Sequence, residues 1–128
     1  MMPNIARRAA GLVAIAAVVM LISACQTRNP GSGPTEIVLQ DLRFVPNRID
    51  ARVGVPITVR LVNRGTERHD LSFPSLHMPG LQGVETILDP GETRTVTLTF
   101  DQAGTHTFIC TLPGHAASGM TGAAYVSP

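Results

Sequence analysis

The chain has 128 residues, 44% of them hydrophobic and 15% charged, with a formal net charge of +1. This length suits one domain, and this apolar content excludes a disordered chain. The near-neutral balance offers no basic face, so no nucleic-acid partner is expected, and two cysteines exclude a disulfide-dense scaffold.

In chain order, Arg7 and Arg8 precede an uncharged apolar stretch from Ala9 to Ala24. A basic start, a short apolar run and small residues at its end form the layout of a secretory signal. The run is shorter than the roughly 20 residues a spanning helix needs. Its end, Leu21-Ile22-Ser23-Ala24-Cys25, resembles the lipobox of bacterial lipoproteins. That resemblance implies cleavage before Cys25 and lipid on that residue; the competing reading is an uncleaved anchor with an incidental cysteine. Several acyl chains anchor stably where one is marginal. Thr27 to Thr35 alternates Pro and Gly with small polar residues and reads as a flexible tether. The expected organisation is a signal peptide over 1–24, lipidated Cys25 and tether over 25–35, and one folded domain over 36–128. The expected location is outside the cytoplasm, lipid-anchored to a membrane and facing the periplasm or cell exterior. General secretion fits the start best, and the arginine pair leaves the twin-arginine route open.

From Glu36 onward the pattern is that of short strands. Ile37 and Leu39 alternate with polar residues, Phe44 and Val45 precede Pro46, and Ile49, Ala51 and Val53 alternate up to Gly54. Ile57, Val59 and Leu61 form the next set, closed by the turn Asn63-Arg64-Gly65-Thr66. His69, Leu71 and Phe73 alternate up to Pro74, and Val84 to Leu88 reads as a short strand before Asp89-Pro90-Gly91-Glu92. Val96, Leu98 and Phe100 alternate with Thr95, Thr97 and Thr99; His106, Phe108 and Cys110 share one face; Gly122 to Val126 is the last strand. Period-two alternation with frequent turn signals predicts an all-β antiparallel sandwich or barrel.

The chemistry concentrates near the C-terminus. Cys110-Thr111-Leu112-Pro113-Gly114-His115-Ala116-Ala117-Ser118-Gly119-Met120 puts a thiol, an imidazole and a thioether on one loop at the end of a strand. His69 supplies a second imidazole from a neighbouring strand. One thiolate, two imidazoles and a weak axial thioether are the ligand set of mononuclear blue copper, in which soft sulfur suits Cu(I) and imidazole also serves Cu(II). The ordinary readings are a buried Cys110 acting as a small hydrophobe, Met120 as core packing, and His69 as a strand-end residue. An unpaired thiol is, however, a liability in an oxidising compartment unless it is used. His106 lies four residues from Cys110 on the same strand face, too far along it to share a metal, and is expected to pack in the core. His77-Met78 reads as an exposed loop.

Gly104-Thr105-His106-Thr107-Phe108-Ile109-Cys110 through Met120 and Gly122 resembles the signature of the plastocyanin/azurin family of cupredoxins, the blue type 1 copper proteins. Asn63 to Asp70 is similar to that family's first-histidine segment, and Phe44-x-Pro46-x-x-Ile49 and Gly54 to Val59 fit its early strands. The C-x4-H-x4-M spacing is of the auracyanin and rusticyanin kind. The resemblance implies a Greek-key β-sandwich of about eight strands holding one copper, with His69, Cys110 and His115 equatorial and Met120 axial. Two positions depart from the family pattern: Asp70 where Asn is usual, and His106 where Tyr is usual. In the family the side chain at position 70 bonds across to the residue after the cysteine. That residue is Thr111, whose hydroxyl can donate to a carboxylate, so Asp70 and Thr111 are expected to tune the metal's potential.

The function this implies is a monomeric, membrane-anchored carrier of single electrons between redox protein partners. A copper storage or delivery module shares the ligands and stays open. A thiol enzyme built on Cys110 and His115 lacks an evident orienting residue. A multicopper enzyme is disfavoured because, by family resemblance, a relay histidine would stand beside the cysteine, and here Ile109 and Thr111 flank it. No enzymatic activity is therefore expected.

Overall fold

The computed structural model describes residues 33–83 and 86–128. The expected signal peptide, Cys25 and the first part of the tether lie outside these residues. Seven strands are present among them: β1 (Thr35–Gln40), β2 (Arg43–Val45), β3 (Arg48–Arg52), β4 (Ile57–Asn63), β5 (Thr93–Leu98), β6 (Gly104–Ile109) and β7 (Thr121–Ser127). They form two sheets, ordered β2-β1-β4-β5 and β3-β7-β6.

The alternation seen in the sequence becomes the inner faces of these sheets. Ile37 and Leu39 of β1, Val59 and Leu61 of β4, and Val96 and Leu98 of β5 point inward from the larger sheet. Ile49, Phe108, Ala124 and Val126 meet them from the smaller one. Side chains on a strand point to opposite faces in turn, so β1 and β5 bury alternate residues, while the end of β4 buries Leu61, Val62 and Asn63 in succession. Phe108 touches Phe44 and Phe73 edge-on, with ring centroids 5.1 and 5.6 Å apart, and Phe73 meets Phe100 at 5.5 Å. Each such buried side chain contributes about 1.5–3 kcal/mol over its exposed state.

The all-β sandwich is as expected, with four differences of detail. Seven strands stand among the described residues where about eight are expected. The sheets are mixed, because β1 pairs with β4 and β3 with β7 in parallel; alternation shows which face is buried and says nothing of a neighbour's direction. The segment from His69 to Phe73 is no regular strand. It crosses between elements on two isolated bridges, His69 to Leu88 and Ser72 to Ile109. Leu88 makes only that bridge, and Val84 and Glu85, from the strand expected there, lie outside the described residues.

The topology gathers one end of the sandwich. β1 and β4 run toward it in parallel, β6 stops there at Ile109, and β7 leaves from it at Thr121. Away from this end, His106 stacks on Phe100 and bonds the Gln102 carbonyl at 3.0 Å. His77 is exposed while Met78 is a core residue, so the pair forms no common site.

Candidate metal centre

His69 is set by a two-way backbone bridge to Leu88, at 3.1 and 2.8 Å. Three residues on, Ser72 exchanges two 2.9 Å bonds with Ile109, the residue before Cys110. This places the first histidine segment and the cysteine side by side. The loop ahead of His69 is organised by the fully buried Asn63. Its amide donates to the carbonyls of Glu67 and Leu88 at 2.8 and 2.9 Å, and its oxygen accepts the Gly65 N–H at 2.9 Å. A buried amide with its groups satisfied holds a loop as firmly as a strand pair would.

The Cys110–Met120 loop closes on itself. The Cys110 N–H donates to the Met120 carbonyl at 3.1 Å, and the Met120 N–H donates to the His115 carbonyl at 3.0 Å. Gly119 makes the return possible at φ 104°, a backbone region that L side chains rarely enter. His69, Cys110 and Met120 are all fully buried, while the His115 ring reaches toward the surface.

The structure brings His69, Cys110 and His115 together, with one ligand atom of each inside a 4.8 Å cluster. The two Nδ1 atoms are 3.2 Å apart, and Cys110 Sγ is 3.4 Å from His115 Nδ1. With transition-metal bonds of about 2.0 Å to nitrogen and 2.3 Å to sulfur, three ligands at 120° stand about 3.5 and 3.7 Å apart. These two separations match within a few tenths of an ångström, so the three side chains are placed to hold one transition metal between them. Two imidazoles, one thiol and a buried thioether beside them are chemically a copper set. Met120, fully buried, closes the loop next to Cys110 through the Cys110 N–H to Met120 carbonyl bond and would supply a thioether to such a metal.

Burial pushes the Cys110 thiol above its usual range, and the backbone N–H groups of Asp70 and Leu112, aimed at the sulfur, oppose that rise. Asp70 is itself buried. Its Oδ1 accepts the Thr111 N–H at 2.6 Å, and its Oδ2 accepts the Thr111 hydroxyl. The carboxylate thus ties the residue after the first histidine to the residue after the cysteine.

Sequence reasoning missed two further carboxylates. His69 Nε2 lies 3.1 Å from Asp41 Oδ1, and His115 Nε2 lies 3.2 Å from Glu67 Oε2. Asp41 sits in the β1–β2 turn, where an Asp reads as an ordinary turn former. Hydrogen bonds from Thr66, then from His69, hold it well below the usual carboxylate range, at about 2. The 28 residues between Asp41 and His69 leave no local signal of their meeting. Next to it, Leu42 takes φ 62° and stays largely exposed. Asp41, Leu42, Thr66, Glu67, Pro113, Gly114, His115 and Ser118 line an open groove of about 340 Å³.

The sequence matches the cupredoxin-like domain family over residues 12–121. No curated protein matches it. Among solved structures it is similar to dithionite-reduced auracyanin from the photosynthetic bacterium Roseiflexus castenholzii. That match has 24% identity and a TM-score of 0.64, and covers 77% of this chain and 99% of that one. Auracyanin A from Chloroflexus aurantiacus, described as a blue copper protein, matches at 23% identity and a TM-score of 0.58 over 74% and 100% of the two chains. A multicopper oxidase matches at 25% identity and a TM-score of 0.60, with this chain spanning 41% of its length. The two auracyanin likenesses support the fold.

Proposed function

Because the chain belongs to the cupredoxin-like family, we propose that it is a one-electron carrier working as a monomer between redox proteins outside the cytoplasm, held to a membrane by lipid on Cys25. One type 1 copper is its cofactor, which His69, Cys110, His115 and Met120 would hold. When bound, copper supplies the Cu(II)/Cu(I) couple. The protein supplies a frame that changes little between the two states. His69 is pinned to Leu88 and, through Ser72, to Ile109, while Cys110 and Met120 are pinned to one another.

The observation that carries the reading is the contrast in burial around the site. Cys110, His69 and Met120 are closed to solvent, and the His115 ring meets the one groove noted above. An electron needs an edge close to its partner, whereas a substrate needs an open coordination position. Ile109 and Thr111 beside Cys110 offer no relay histidine toward a second copper centre, which further supports a carrier. The anchor rests on the Leu21-to-Cys25 sequence.

The test is to load the full chain with Cu(II), record its visible spectrum, and follow its voltammetry and self-exchange. An intense thiolate-to-copper band with a reversible potential and fast self-exchange is expected. A pale spectrum overturns the copper site, and an intense band with slow exchange favours storage or delivery. Mass spectrometry of the protein from its native membrane should show acylated Cys25 as the first residue. An intact N-terminus or an unmodified Cys25 removes the anchor.

A further inference from the structure

We infer that Asp41 and Glu67 are positioning residues of the metal site, each taking the Nε2–H of one histidine, His69 and His115 respectively, and so turning both Nδ1 lone pairs onto the metal. The inference rests on the copper site and is independent of the carrier role.

The argument starts from donor and acceptor chemistry. A carboxylate only accepts, and a neutral imidazole carries one N–H and one lone pair. With Asp41 Oδ1 at 3.1 Å from His69 Nε2 and Glu67 Oε2 at 3.2 Å from His115 Nε2, both protons belong on Nε2. Both Nδ1 atoms are then bare, 3.2 Å apart, and repel unless they share a cation. The carboxylates hold the imidazoles in the one tautomer that can bind metal, and the carboxylate–histidine–metal relay raises ligand basicity.

Asp41 does more than meet one ring. Its Oδ1 also accepts the N–H groups of Thr66 and Glu67, at 2.8 and 3.3 Å, and its Oδ2 accepts the Thr66 hydroxyl at 2.8 Å. One side chain in the β1–β2 turn therefore fixes the loop that carries Glu67 and leads into His69. Gly65 supplies an independent sign that this contact is built in. A Cβ there would stand 2.7 Å from His69 Nε2 and run into the Asp41 carboxylate oxygen. Only glycine lets the backbone cover the Asp41–His69 bond. Glu67, by contrast, is exposed enough that an incidental surface pair is the competing account.

The experiment compares the full chain with Asp41→Ala, Glu67→Ala, Asp41→Asn and Glu67→Gln. Cu(II) affinity is measured by chelator competition, and histidine tautomers by nitrogen-15 NMR of the Cu(I)-loaded protein. Each alanine change should lower Cu(II) affinity on the order of 10–100-fold, the usual loss for a group that orients a ligand. The amide variants, whose oxygen still accepts Nε2–H, should recover most of it. In the spectra, Asp41→Ala should disturb the Nε2–H of His69 and Glu67→Ala that of His115. Alanine variants binding within about threefold of the parent overturn the proposal, a factor worth well under one decade of affinity. Amide variants that fall as far as alanine, or spectra in which neither proton responds, overturn it too. Should Asp41→Ala fail to fold for want of its Thr66 bonds, exposed Glu67→Ala and the two amide variants decide the matter. A parent chain that takes up no copper into an intensely coloured site would instead defeat the copper assignment itself.

Discussion

Replacing Asp70 by Asn removes one charge beside the site while keeping its shape. The Asn oxygen can still accept the Thr111 N–H now bonded at 2.6 Å. The Thr111 hydroxyl, which donates to Oδ2 in the parent, can turn to accept from the new amide. What changes is electrostatic: a negative charge favours Cu(II) over Cu(I), so its loss should raise the reduction potential. At a separation on the order of 6 Å and an effective dielectric near 20, one charge contributes about 3 kcal/mol. At about 2.3 kcal/mol per 100 mV, that corresponds to ~120 mV. Screening at the exposed end of the sandwich lowers this, while the near-complete burial of Asp70 limits the reduction. A rise of some tens of millivolts, with ~120 mV as its ceiling, is the expected result. Voltammetry of both proteins at one neutral pH and two ionic strengths measures it. A fall, or a change below about 10 mV, would refute the reasoning, since 59 mV is tenfold for one electron and 10 mV is less than twofold.

Cys110→Ser should bind copper without the intense visible band, because that band needs the thiolate; strong colour in the variant would remove Cys110 from the ligand set. Phe108→Ala opens a cavity among Phe44 and Phe73 and should cost about 3–5 kcal/mol in urea denaturation of the metal-free chain. In acid, the depressed Asp41 carboxyl contributes stability that is complete above its ordinary value of 3.8 and is lost as pH falls toward about 2. The metal-free parent should therefore weaken across that window more steeply than Asp41→Asn, and parallel curves in denaturation series would contradict this.

Local features of the site and fold were legible in the sequence, and partnerships across the chain were not. Cys110, His115 and Met120 share one loop, so their spacing alone brings them together. Ile37, Leu39, Val59 and Leu61 announce a buried face through alternation, because each strand must hide one side. Alternation carries no direction, and so the parallel pairs β1–β4 and β3–β7 were unforeseen. His69, Leu71 and Phe73 alternate like a strand, yet their segment forms one isolated two-bond bridge to Leu88 and another to Ile109 without joining a ladder. Asp41 and Glu67 reach the histidines only after the fold is made. Nothing in Gln40-Asp41-Leu42 distinguishes a turn former from a partner of His69.

The direction of β1 also sets which way the molecule faces. The strand starts at Thr35, where the tether joins, and ends beside Asp41 and the histidines. Six residues of strand span roughly 20 Å. In the proposed reading, the point where the tether joins and the His115 edge that meets a redox partner therefore stand at opposite ends of β1. A chain held by its N-terminal end turns its His115 edge outward from the point of attachment, toward whatever diffuses past, and a partner can reach that edge without pushing between the domain and its mooring.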